Sequence, residues 1–162
     1  MRVLLATIEQ ADGHWAAVLE LVGEAAERAP LQDQLSFLAV RALERLGRVD
    51  EALAALARRA QALAGAGRAA ESQLVLASAV LLAARNDRAA VAVNLGAQVL
   101  AAQPPLEEEV QLQVRHLMAD VEFERGGVAP ALAALGDARG APDVAKRYEL
   151  VVLEGSAKKH RI

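Results

Sequence analysis

Apolar residues recur at helical spacing along nearly the whole chain, and short polar or Gly- and Pro-containing clusters interrupt them at intervals suited to paired helices. The breakers "DGH" (12–14), "AP" (29–30), "LGR" (46–48), "AGAGR" (64–68), "RND" (85–87), "QPP" (103–105), "RGG" (125–127) and "GDARGAP" (136–142) predict nine helices. Helix one covers about 2–11. Helix two, about 14–28, buries Trp15, Val18, Leu19, Val22 and Ala25. Helix three, about 31–46, aligns Leu31, Leu35, Leu38, Ala39, Ala42, Leu43 and Leu46, and helix four, about 49–63, aligns Val49, Ala52, Leu53, Leu56, Ala60 and Leu63. Helix five, about 69–84, is apolar nearly all round, as expected of an element covered on both flanks. Helix six runs from an Asn86 or Asp87 cap to about Ala102. Helix seven is expected to start with Pro105 near its first turn and with Glu107, Glu108 and Glu109 facing the positive end of its dipole. Helix eight covers about 128–136, and helix nine follows Pro142 and runs to Glu154.

The chain also repeats itself. "RLGRVDEALAAL" (45–56) returns 79 residues later as "ERGGVAPALAAL" (124–135). Gly13, Gly47, Asn86 and Gly126 fall at the predicted turn inside each helix pair, 34, 39 and 40 residues apart. Five positions on stands a small or β-branched residue, Val18, Ala52, Val91 or Ala131. The turn asks for a residue that tolerates positive φ, and the small residue lets the second helix press on the first. One helix pair cannot bury its apolar faces alone, so copies stack. The expected fold is all-α: a right-handed α-α solenoid of about four antiparallel pairs (about 1–29, 30–64, 68–103 and 105–136). A C-terminal capping helix at about 142–154 completes a single domain over 1–155, and a basic tail occupies 156–162.

Composition narrows what such a fold could do. At 162 residues the chain can bury roughly 70% of its unfolded surface. Aromatics make up only 2%, which favours close-packed helices over β-sheet. Cysteine is absent, which removes thiol chemistry, and no leader pattern opens the sequence, so a cytoplasmic setting is expected. The longest apolar run, "LVLASAVLLAA" (74–84), is about half of what a membrane span needs. A net charge of −3 with mixed signs argues against a nucleic-acid footprint on the body of the domain. Only the end is basic, with Lys146, Arg147, Lys158, Lys159 and Arg161, and it reads as a solvated terminus.

"LGRVDEALAALARRAQAL" resembles the turn and second helix of a tetratricopeptide repeat, as does "DGHWAAVLELVGEAAERAP", with Trp15, Ala25 and Pro30 at the aromatic, small and helix-ending positions. The longer period of "AGAGRAAESQLVLASAVLLAARNDRAAVAVNLGAQVLAAQPP" (64–105) looks more like the MalT-like repeat region of large LuxR-type transcriptional activators. First helices lack an aromatic-Leu-Gly signature, and neither a phosphate-binding Gly-Lys-Ser/Thr loop nor a helix-turn-helix module is recognisable. The resemblances imply binding without chemistry: a protein or peptide held on a concave face, or, alternatively, a small-molecule effector sensed by a regulatory domain. Lys146, Lys158 and Lys159 all lie outside the repeats, which disfavours the carboxylate-clamp variant of the tetratricopeptide family.

Few residues invite a chemical role. His14, His116 and His160 have no second histidine one turn away, so no metal site is expected. His116 and Asp120 lie one turn apart with Gln113 nearby, but no nucleophile or oxyanion device accompanies them, and the reading is non-enzymatic, without cofactor. Phe37 is more telling. It falls opposite the core stripe of helix three, beside Arg41, Glu44 and Arg48. On helix seven Leu112, Ala119 and Phe123 form a second apolar line opposite Val110, Val114, Leu117 and Val121. Neighbouring repeats could bury these residues. The alternative is a concave partner-binding surface along the inner face of helices three, five and seven, with Phe37, Arg41, Arg45, Arg48, Leu112, His116 and Phe123 as its contact residues and the arginines supplying donors for acidic partners. Self-association is a further expectation, since the ends of a solenoid must be capped or paired.

Overall fold

A computed structural model describes residues 2–136, and among them every regular element is an α-helix. The predicted helix nine and basic tail lie outside the described residues. The helices are α1 (Arg2–Ala11), α2 (Trp15–Arg28), α3 (Asp33–Arg45), α4 (Val49–Gly65), α5 (Ala69–Arg85), α6 (Ala89–Ala101), α7 (Glu108–Glu124) and α8 (Val128–Leu135). The chain divides into two compact units, Met1–Leu106 and Glu107–Ile162. The first holds α1 to α6 and the second α7 and α8.

One kind of corner joins most of these helices. At Gly13, Gly47, Gly67, Asp87 and Gly126 the backbone turns left-handed, with φ between 57° and 84°. The N–H of the next residue then reaches back five positions: His14 to Glu9, Arg48 to Leu43, Arg68 to Leu63, Arg88 to Ala83 and Gly127 to Glu122, at 2.8–3.0 Å. These bonds satisfy carbonyls that the helix end would otherwise orphan. The same five residues start the next helix, their carbonyls accepting from Val18, Ala52, Ser72, Ala92 and Ala131 at 2.9–3.1 Å. Each of those acceptor-matched residues is buried, four of them at 1% exposure or less. The remaining one is Ser72, whose Oγ donates to the Ala60 carbonyl across the α4–α5 contact at 2.8 Å. A small residue is needed there because two helices meet at once.

This corner corrects the register read from the sequence. The left-handed residue before α6 is Asp87, and the small residue behind it is the fully buried Ala92, whereas Val91 is exposed. The N-cap of α6 is Arg88, so neither Asn86 nor Asp87 caps it by side chain. The link α2–α3 is built differently: Ser36 is buried and its Oγ donates to the Pro30 carbonyl at 3.1 Å. Helix α7 begins at Glu108, not near Pro105, and its N-cap Glu107 makes no side-chain cap bond, although Glu108 and Glu109 do stand in its first turn where the dipole favours them.

Hydrophobic burial is local. Ala6, Val18, Val22, Leu35, Leu38, Ala39 and Ala42 form one cluster from α1, α2 and α3. Leu43, Ala52, Leu56, Ala79 and Leu82 form the next from α3, α4 and α5, with Leu19 and Leu95 packed on it. In the second unit Ala119, Ala131 and Leu135 join α7 to α8. The expected stripes of α2 and α4 match buried or half-buried positions, but two leucines assigned to the α3 stripe do not. Leu31 precedes the helix and Leu46 caps its end, and both are exposed. Helix α5 is likewise not covered all round, because Leu74 and Leu81 reach solvent.

Candidate functional site

Helix α3 is two-faced. Leu35, Leu38, Ala39, Ala42 and Leu43 are buried between α2 and α4. Phe37, Val40, Arg41, Glu44 and Arg45, spaced one turn apart, point the other way and line a groove of about 1020 Å³. Leu56 and Arg59 of α4 contribute to its wall, and Val75, Ser78, Leu81, Leu82 and Arg85 of α5 form the opposite bank. Phe37 is 60% exposed and Leu81 47%, so the groove presents two large apolar side chains that the first unit covers only in part.

Charge is arranged with the same two-sidedness. Asp33 is paired with Arg59, whose side chain is mostly buried. Glu44 accepts from Arg85 Nη2 at 2.6 Å and from Asn86 Nδ2 at 3.3 Å, an ion pair that ties α3 to α5 across 41 positions of sequence. Arg41 and Arg45 differ from both arginines of these pairs. The Arg41 guanidinium lies over the Trp15 ring at 5.7 Å and over Phe37 at 5.8 Å, and Arg45 lies over Trp15 at 5.7 Å. Among the described residues neither has a carboxylate within ion-pairing distance. Stacking on an aromatic face contributes about 0.5–1 kcal/mol at exposed sites and leaves N–H donors available.

Of the residues expected at the site, Phe37, Arg41 and Arg45 come together in the groove. Arg48 does not. It is the N-cap of α4, and its Nε and Nη2 both donate to Glu51 at 2.6 Å, the pairing that holds Glu51 below and Arg48 above their ordinary pKa values. Arg68 and Glu71 repeat this fork at the start of α5 with the same pKa directions. At α6 Val91 takes the glutamate's place, so Arg88 turns to Asp50 instead, at 3.0 and 3.3 Å, and lowers its pKa.

Leu112, His116 and Phe123 belong to α7 in the second unit. Leu112 is exposed at 38%. Phe123 is half-buried and packs on the Ala119, Ala131 and Leu135 cluster, so it contributes to the α7–α8 core. His116 is half-buried, and its Nε2 is enclosed without a hydrogen-bond partner among the described residues. No group of three or more His, Cys, Asp or Glu that could hold a metal occurs among the described residues.

Sequence reasoning passed over Trp15 as a platform, and over Leu81 and the Glu44–Arg85 tie. Trp15 carried a usable signal, since Phe37 can meet Arg41 on its own helix but Arg45 has an aromatic partner only if the neighbouring helix supplies one. Leu81 carried none, because α5 is too evenly apolar for its exposed side to show. No protein-family model, curated protein or solved structure matches this chain. No helix among the described residues is long and apolar enough to cross a membrane.

Proposed function

We propose that the chain is a non-catalytic helical-repeat module that binds a protein or peptide, and that α1 to α6 form a right-handed solenoid of antiparallel pairs of tetratricopeptide type. The observation that carries the binding reading is the groove between α3 and α5, where Phe37 and Leu81 stand exposed beside two arginines without carboxylate partners among the described residues. A large aromatic in a shallow, charged trough offers contact area at low conformational cost, the composition of an interface anchor. Two further facts support repetition: one corner geometry recurs five times among the described residues, and the hydrophobic clusters join chain neighbours in succession.

The rival reading, a small-molecule sensor of MalT-like type, fits the groove less well. Small-ligand sites enclose about 70–90% of the ligand surface, whereas this groove leaves Phe37 and Leu81 exposed to solvent, and its Asp33, Arg59, Glu44, Arg85 and Asn86 are already engaged with one another. Selection of displayed random peptides on the full chain tests the proposal. Enriched peptides should lose binding to Phe37→Ser and Leu81→Ser but keep it for Leu4→Ser, an exposed apolar site on α1. Enrichment indifferent to the groove substitutions, or stabilisation by metabolites with no peptide selected, would refute it.

A further inference from the structure

We infer that the groove's occupant is an acidic peptide segment, whose side-chain carboxylates are taken by Arg41 and Arg45 and whose neighbouring large apolar side chain lies against Phe37 and Leu81. This rests on the groove reading above and adds the chemistry of the partner. Eight other arginines among the described residues pair with a carboxylate: Arg28, Arg48, Arg58, Arg59, Arg68, Arg85, Arg88 and Arg125. Arg2 and Arg115 lack such a partner among the described residues, as do the two arginines one turn apart on the groove bank, Arg41 and Arg45, and only the latter two stand together. They are held over the same Trp15 ring, so their donors are brought to one place in advance.

The groove's own carboxylates cannot serve them. Asp33 is engaged by Arg59, and Glu44 by Arg85 and Asn86. Four arginines against two carboxylates leave the lining at +2 in a chain whose net charge is −3. A neutral apolar occupant seated on Phe37 would strip water from Arg41 and Arg45 and return no acceptor, which opposes binding. A basic occupant would meet like charge. A carboxylate one turn from an apolar anchor resolves both problems, and two guanidinium forks select it by geometry as well as charge.

The test is fluorescence anisotropy of the full chain with labelled, C-terminally amidated peptide pools of about ten residues. Each pool fixes two Leu or Phe positions and two Glu positions; matched pools carry Gln or Lys in place of Glu. The acidic pool should bind, weaken with added salt, and lose about tenfold or more in affinity to Arg41→Gln/Arg45→Gln. The variant should melt like the parent. If it does not, Arg41→Lys/Arg45→Lys keeps the charge without the fork and should give an intermediate loss. Equal binding of the Gln pool, or acidic binding indifferent to both double variants, overturns the inference. If binding in that case still depends on Phe37, the groove reading stands alone. If no pool binds in a Phe37-dependent way, both fall. Binding that appears only with a free C-terminal carboxylate assigns the arginines to a chain end and also overturns the inference.

Discussion

Replacing Gly47 by alanine isolates the element on which the fold depends. Gly47 has φ +73°, and a Cβ built there meets nothing within 4 Å, so neighbouring atoms neither oppose nor welcome the new methyl group. Gly67, at φ +76°, is in the same position. What remains is the backbone cost of holding an L-residue left-handed, about 1–2 kcal/mol. The reduced freedom of the unfolded alanine chain offsets about 0.4–1 kcal/mol of it. Each of Gly47→Ala and Gly67→Ala should therefore destabilise by about 1 kcal/mol, or about 2–4 °C in melting temperature for a chain of this length. Asp87 occupies the same corner as a non-glycine residue at φ 57°. Asp87→Gly relieves the left-handed cost while loosening the unfolded chain, and should stay within about 0.5 kcal/mol of the parent. Urea unfolding followed by circular dichroism, with the slope checked for constancy, reads all three. A neutral or stabilising Gly47→Ala would mean that the corner is not left-handed, and the shared geometry of the five corners would go with it.

Two further outcomes probe packing and charge. Leu63 is fully buried near the end of α4, so Leu63→Ala should cost about 2–5 kcal/mol in the same urea assay, and a cost below 1 kcal/mol would show that this turn of α4 is not packed as described. Glu51 and Glu71 are held below the usual carboxylate range chiefly by hydrogen bonds from Arg48 and Arg68. A carboxyl whose folded pKa is depressed contributes stability that is present above its unfolded value and lost as pH falls through the folded one. The melting temperature should therefore fall as pH drops below about 4.5, and Glu51→Gln/Glu71→Gln should flatten that fall. Both forks are exposed, so added salt should shrink the difference, and an unchanged acid limb in the variant would remove the forks from the account.

The helices were legible because their burial is periodic. Val18 and Val22, or Ala52, Leu56, Ala60 and Leu63, announce the faces they bury without help from distant residues. The corners were legible in kind but not in register. Asparagine tolerates the left-handed region, which made Asn86 the natural partner of the glycines, yet Asp87 holds that place. The residue that keeps the register is the one after it: Arg48, Arg68 and Arg88 stand 20 positions apart, each the N-cap of its helix. Anchoring on arginine would have found Asp87, Ala92 and the additional corner at Gly67, which the reading from paired helices treated as a loose break. Helix ends misled for a different reason, since the apolar pattern continues through Leu46 after the helix has stopped and its last turn is no longer covered.

The groove itself could be anticipated only in half, and the reason is physical. A position such as Phe37 can be seen to oppose the core stripe of its own helix, because that relation is local. Whether a neighbour covers it depends on what α5 brings across, and α5 is apolar at nearly every angle. Besides the cluster that Leu43 and Leu82 share, its tie to α3 comes from Arg85 and Asn86 reaching Glu44 within the groove lining. That polar tie fixes α5 beside α3 while Leu81 stays exposed, so the two helices are joined at one end and leave apolar surface between them. Had the join been made by Phe37 packing on Leu81, stability would have gained and the trough would have closed. An open bank kept apart by an ion pair, with its two spare arginines turned the same way, is an arrangement that serves contact with another chain better than it serves this one.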